Sequence, residues 1–445
     1  MKRKMVMLAI ILSILLVIPA TSYQADIVDT SYVKGESNEI ETAIINDGNT
    51  LYVGGSGPNN YTKIQDAINN ASDGDTVFVF SGTYYENVVV NKIVNLIGED
   101  KNNTIIEGSG SGDVVYVSAD DMILNRFTIR NGGDNGIELY DVQNCFIENN
   151  IISNNNDGIH LYSSSICAII DNTVSKNRYD GIYLDNSSHC QITGNTMIDD
   201  GIFIDGYLFE YCYTHTIDTS NTVNGKPVYY WSDVYDGGTV PAGAGQIILA
   251  NCGGVTVENQ DLSNGTVGIE LISSARCTIT GNTISNNNRA GIYLWFFPRC
   301  TITGNTICNN NGYGIYLNLI SRCTITGNTI CNNRYGIGLT SSNDNNIHYN
   351  NIYGNTDYGV YNYNSNSEYA DNATHNWWGS SDGPGGVGPG SGDAVSNNVI
   401  FGSWLTNQSI TSHFSNEKSK GTPGFEMVAL IVALGAVLWV RKKKK

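Results

Sequence analysis

A glycine-led segment, Gly-Ile-x-Leu, returns at Gly136, Gly158, Gly181, Gly201 (Ile204 in the Leu place), Gly268, Gly291, Gly314, Gly336 and Gly359 (Val360 in the Ile place). The steps are 22, 23, 20, 67, 23, 23, 22 and 23 residues, and Gly225 and Gly245 divide the long one into 24, 20 and 23. A second marker, Cys-Thr-Ile-Thr-Gly-Asn-Thr-Ile, starts at Cys277, Cys300 and Cys323, and in weaker form at Cys145, Cys167 and Cys190. Two markers in phase over so long a stretch restrict the chain to a repeat array, in which one unit has no core of its own and stacking supplies it. The spacing predicts an array without interruption.

Leucine-rich repeats and parallel β-helices share this period, and residue types separate them. Each unit here holds short Ile/Thr/Val strands between Gly-Asn and Asn-Asn corners, with no helical segment and few leucines. Side-chain alternation puts Cys277, Ile279, Ile284, Ile292 and Leu294 inward, and Thr278, Thr280, Thr283 and Tyr293 outward. Coils stacked at ~4.8 Å over the span from Gly136 to Gly359 predict a rod of at least ~48 Å. Asn172, Asn195, Asn282, Asn305 and Asn328 occupy one corner position, where amides can bond donor to acceptor along the axis. The expected fold class is therefore all-β, a parallel β-helix.

The two ends read as addresses. Lys2, Arg3 and Lys4, an apolar run from Met5 to Ile18, and small residues after it follow the order of a secretory signal peptide, with cleavage after Ala20 or Ala25. Met427 to Val440 is a second apolar run, closed by Arg441 and four lysines, a basic tip that stays on the cytoplasmic side. The expected organisation is a signal peptide (1–25), a linker (26–50), the β-helix (51–410), a linker (411–422) and a membrane or sorting segment (423–445).

Composition removes other classes. A net charge of −18 and a pI of about 4.6 leave no basic footprint for nucleic acid. Only 15% charged residues together with 27 tyrosines does not match a disordered chain.

Three stretches carry a resemblance. Residues from Tyr61 (YTKIQDAINNASDGDTVFVFSGTYYENVVVNKIVNLIGEDKNNTIIEG), His215 to Trp231 (HTIDTSNTVNGKPVYYW) and Asn372 to Gly386 (NATHNWWGSSDGPGG) look like segments of NosD-like proteins within the right-handed, pectin-lyase-like β-helix class. The resemblance implies a capping helix at about residues 63–70 and spans roughly residues 51–405. Pro423-Gly424-Phe425 before an apolar stretch and a basic tip resembles the archaeal sorting signal that an archaeosortase removes and replaces with lipid; the other reading is a retained membrane anchor.

Candidate chemistry lies on the outward rows. Two residues after the glycine stand Glu138, His160, Tyr183 and Phe203, then Glu270, Tyr293 and Tyr316. Aromatics beside acids suit sugar rings, and exposed tyrosine is equally good strand surface. The residue before the glycine gives Asp157, Asp180 and Asp200, near His160, Asp185 and Asp205. Such carboxylates could work as acids and bases on a polysaccharide, as a lyase, hydrolase or epimerase would, or take up Ca²⁺; aspartate at a turn is also ordinary structure. The Gly-His-Gly arrangement of galacturonan hydrolases in the resembled class is absent. The NosD-like label implies maturation of a copper site, yet six scattered histidines form no His-x-His cluster.

Stacked cysteines read as buried small hydrophobes, except Cys308 and Cys331, which replace a corner serine one period apart and are the best candidates for a disulfide. Asn60, Asn70, Asn102, Asn186, Asn264, Asn372 and Asn407 head glycosylation triplets. The expected partners are a polysaccharide or surface glycan, the membrane and an archaeosortase. The leading reading is a tethered cell-surface rod that binds carbohydrate or serves the envelope, with a polysaccharide-active enzyme and a copper-site maturation factor as alternatives.

Overall fold

In the computed structural model, which describes residues 48–296 and 299–409, nearly every strand pairs in parallel with the equivalent strand one coil away. About fourteen coils stack into a parallel β-solenoid. The sequence dictates this directly: most strands are three to six residues rich in Ile, Val and Thr, and many corners are Gly or Asn in the left-handed region, as at Asn286, Asn309 and Asn332. The signal peptide and the Pro423-Gly424-Phe425 segment lie outside the described residues. Among the described residues no helix is long and apolar enough to cross a membrane.

The inward set is as expected: Cys277, Ile279, Ile284, Ile292 and Leu294 are all buried. The asparagine corner is a hydrogen-bonded ladder. Asn172 Nδ2 donates to Asn195 Oδ1 at 3.0 Å, and the run Asn282, Asn305, Asn328, Asn350 repeats this bond at 2.9 Å. A second ladder, unforeseen in the sequence, climbs the next corner through Asn287, Asn310, Asn333 and Asn355.

At the N-terminal end α1 (Ile64–Asn70) closes the cylinder, burying Ile64, Ala67 and Ile68. Glu86 accepts from Ile64 N and Gln65 N at 2.9 and 3.0 Å, so a carboxylate from a neighbouring coil satisfies the helix's first amides.

The expectation of an uninterrupted array fails between Gly201 and Gly268. The six-stranded sheet that carries the glycine motif in the first stack ends at Ile202–Asp205. A five-residue 3-10 helix follows (Phe209–Tyr213), and then Thr222–Val223 pairs antiparallel with Lys226–Ser232 about the left-handed Gly225. The sixteen-stranded sheet that results carries the motif through the second stack. The two stacks have separate cores, one around Leu124, Ile147 and Ile169, the other around Ile279, Ile302 and Ile325.

The first stack's end abuts the outward face of the second. Ile202 N and Ile204 N, on the free edge of the six-stranded sheet, donate to Gln246 Oε1 (2.9 Å) and Glu270 Oε1 (3.4 Å). Outward-facing Ile248, Ile272, Tyr293 and Trp295 join the first stack's core, while inward Ile247, Leu271, Ile292 and Leu294 fill the second. The strands Val267–Ile272 and Ala290–Trp295 are thus buried on both faces.

Candidate functional site

Register on the six-stranded sheet aligns three outward rows. Tyr116, Glu138, His160, Tyr183 and Phe203 form one; Tyr140, Tyr162, Asp185 and Asp205 form the second, two residues on; Asn135 and Asp157 lie three residues before. The row of Glu138 is as read from the glycine offset, but its exposure is not. Phe203 and Glu270 are fully buried and Tyr293 nearly so, because the end of the first stack and the outward face of the second meet there. Phe203 meets Tyr293 edge to face at 5.1 Å, and Tyr293 meets Tyr316 at 5.3 Å. What remains open is the N-terminal part, where Tyr140 is exposed and stacks on Tyr162 with centroids 5.2 Å apart.

His160 is the centre of the polar network. Its Nδ1 lies 2.7 Å from Glu138 Oε2, which also accepts Asn135 Nδ2 at 2.7 Å; the same amide donates to Asp113 Oδ1 at 2.9 Å. The ring stacks on Tyr183 at 4.6 Å, and Nε2 is buried with no hydrogen-bond partner among the described residues. Burial alone would lower the imidazole's pKa, but the Glu138 carboxylate, with Asp157 and Asp185 behind it, raises it. Burial in turn raises Glu138 and Asp113, and it carries Asp157 to about 6 with the help of the Asp180 charge. An imidazole oriented by Glu138 beside Asp157, which burial raises to about 6, has the makings of a general acid–base pair.

The aspartate row does not stay together. Asp157 Oδ1 accepts Asp180 N at 2.9 Å and remains beside His160. Asp180 is fully buried and paired with Arg289 of the second stack, whose Nε lies 2.9 Å from both carboxylate oxygens and whose Nη2 lies 2.7 Å from Oδ2. The Arg289 guanidinium also lies 4.2 Å over Phe203 and 5.2 Å over Tyr183. Asp200 turns away to end the second-corner ladder, accepting Asn177 N and Nδ2. Burial carries Asp200 to about 7 and Asp205 to about 6.

Sequence reading missed Tyr140 and Tyr162, although the same offset logic applied four residues after the glycine would have found them. It also missed Arg289, for which no local signal exists: the partner lies 109 residues away.

Among the described residues, no group of three or more His, Cys, Asp and Glu is placed to hold a metal ion, so neither the aspartate row nor the thiols form a cation site. The thiols of Cys145, Cys167, Cys190, Cys212, Cys252, Cys277, Cys300 and Cys323 are all buried, and Cys308 and Cys331 form the disulfide expected of them. Of the glycosylation triplets, Asn70, Asn102, Asn264 and Asn407 are exposed, while Asn60, Asn186 and Asn372 are half-buried with their side chains hydrogen-bonded.

The profile of the NosD family, described as periplasmic copper-binding protein, matches residues 68–229 and 205–383. A cell surface glycoprotein of Methanothermus fervidus is 37% identical over 97 residues, which is 21% of this chain and 16% of that protein. Similar solved structures include the A-module of a mannuronan C-5 epimerase from Azotobacter vinelandii (15% identity, 77% of this chain and 93% of that one, TM-score 0.34). An alginate lyase from Paenibacillus is also similar (13% identity, 79% and 99%, TM-score 0.29). At these values the two structures carry no functional weight.

Proposed function

Because the chain belongs to the NosD family, whose profile covers more than half of it, we propose that it is an exported, cell-surface solenoid that binds polysaccharide on the open part of the six-stranded sheet. The surface location draws on the glycoprotein relative and on the family's periplasmic description. The observation that carries the binding reading is the Tyr140–Tyr162 stack set beside rows of acids, Asp113, Glu138, Asp157 and Asp185. Ring faces and edges take the C–H side of sugars, and carboxyls and amides take the hydroxyls. The tether keeps its two forms, a retained C-terminal span or lipid placed by an archaeosortase.

The copper of the family description does not fit the donors present. Four of the described histidines, His160, His189, His348 and His375, lie on different coils, His215 is buried, and the cysteines outside the disulfide are buried. No step is routed through that metal.

A second reading is supported by one feature, the Glu138-bonded His160 beside Asp157: a polysaccharide-active enzyme in which these two residues supply the acid and the base. A single experiment addresses both. The mature protein is applied to a broad glycan array and then incubated with each glycan it retains. Tyr140→Ala/Tyr162→Ala is expected to weaken retention at least tenfold; retention of nothing by the parent protein, or unchanged retention by the variant, rejects the binding site. Release of product that disappears in His160→Ala establishes the enzyme, and retention without product leaves a binding protein.

A further inference from the structure

We propose that the C-terminal half of the solenoid carries a second, separate carbohydrate site: a groove along its Asn-rich corner that takes a neutral glycan chain. Two clefts, of about 370 and 460 Å³, adjoin there and share Thr356 and Asp357. Each has the size of an ordinary ligand site.

The first cleft presents the same chemistry on successive coils. The pairing of Cys308 with Cys331 and Cys331 with Tyr353 places Asn309, Asn332 and Gly354 in one row along the axis. Parallel coils repeat at ~4.8 Å, so a linear polymer laid along the axis meets a like corner at each step. The second cleft is flanked by two half-buried aromatics, Tyr353 and Trp377. Between them the floor is bare: Gly354 (φ 70°) and Gly379 (φ 88°) are left-handed, and a Cβ on Gly354 would stand 2.5 Å from Asn332 Oδ1.

The charged side chains lining the groove are already engaged. Arg334 Nε bonds Asp357 Oδ2 at 2.8 Å, and Asp393 accepts Gly354 N, Asn355 N and Asn355 Nδ2. By contrast the side chains of Asn309, Asn332 and Thr356 are exposed and hold no hydrogen bond among the described residues. A groove whose charged groups are engaged, with unengaged amides and hydroxyl and aromatic flanks, fits neither an anion nor an apolar ligand. It fits rings that carry hydroxyls on their edges and C–H groups on their faces. The site shares no residue with the face around His160.

The test uses the mature full-length chain carrying Tyr140→Ala/Tyr162→Ala, so that the first face is removed and remaining binding reads the groove. Calorimetric titration with neutral hexose oligomers of increasing length, and separately with oligouronates, is expected to show binding of the neutral series that strengthens with length. Trp377→Ala and Thr356→Trp, the latter an exposed position where an indole fills the shared stretch, are each expected to weaken it at least tenfold. Failure of every neutral oligomer to bind, preference for uronates, or undiminished binding by a folded Thr356→Trp overturns the proposal.

Discussion

An asparagine amide has both a donor and an acceptor, so a column of them can pass hydrogen bonds from coil to coil without end. Two asparagine columns here end in aspartate, Asp200 below Asn177 and Asp393 below Asn355, and Asp371 takes the same acceptor place below Asn345 in the column of Cys300 and Cys323. A carboxyl supplies the acceptor and, when protonated, loses little by burial. Burial raises Asp371 to about 7, against the Asn345 hydrogen bonds that pull it down. A folded pKa above the unfolded one means that its stabilisation is complete below about pH 4 and is lost as pH rises through about 7. Thermal unfolding is therefore expected at lower temperature at pH 8 than at pH 5, and Asp371→Asn should reduce that difference. An identical pH difference in the variant would show that Asp371 is not its source. The residue's role was invisible in sequence because aspartate at a corner looks the same whether it ends a ladder or faces solvent.

At the scale of the element, the problem each stack solves is its open edge. A parallel coil leaves every second amide and carbonyl of its last strand unpaired, and such an edge would pair with another chain. α1 covers the first end. The second is covered by side chains, with Gln246 Oε1 accepting Ile202 N and its Nε2 donating to Ile202 O. Gln246→Ala is expected to cost ~1–3 kcal/mol, since it strands a buried donor and a buried acceptor. The cost should appear as a lower melting temperature and as faster hydrogen exchange at the Ile202 amide. Unchanged exchange there would mean the edge is covered by something else.

On the scale of the whole molecule, ten cysteines in a chain read as exported divide into one cross-link and eight buried cysteines outside it. Cys308 and Cys331 stand at a corner with Cα atoms 4.6 Å apart, and closing a loop of 23 residues is worth ~3 kcal/mol on the chain-entropy account. Denatured, unreduced protein is expected to titrate eight thiols, and Cys308→Ser is expected to lower the melting temperature by several degrees. A count of ten would remove the disulfide.

Much of this was legible before any coordinates. The repeat with its Asn corners names the solenoid, the inward Ile, Leu and Cys columns, the first ladder and the Cys308–Cys331 pair, because period and alternation are local properties of a chain that stacks on itself. The glycine offset likewise found the row of Glu138, His160 and Tyr183. The break between the stacks was not found, and a trace of it was present: Ile248, Ile272 and Trp295 put apolar side chains on positions that alternation assigns to solvent. Only the tertiary structure decided which outward residues are outward in fact. It buried Phe203, Glu270 and Tyr293, joined Asp180 to Arg289, and left Tyr140 and Tyr162 open. The physical reason is that a repeat specifies each coil's contact with the next, whereas the contact of one stack with the side of another links residues 44 to 109 positions apart that occupy no equivalent place in the repeat.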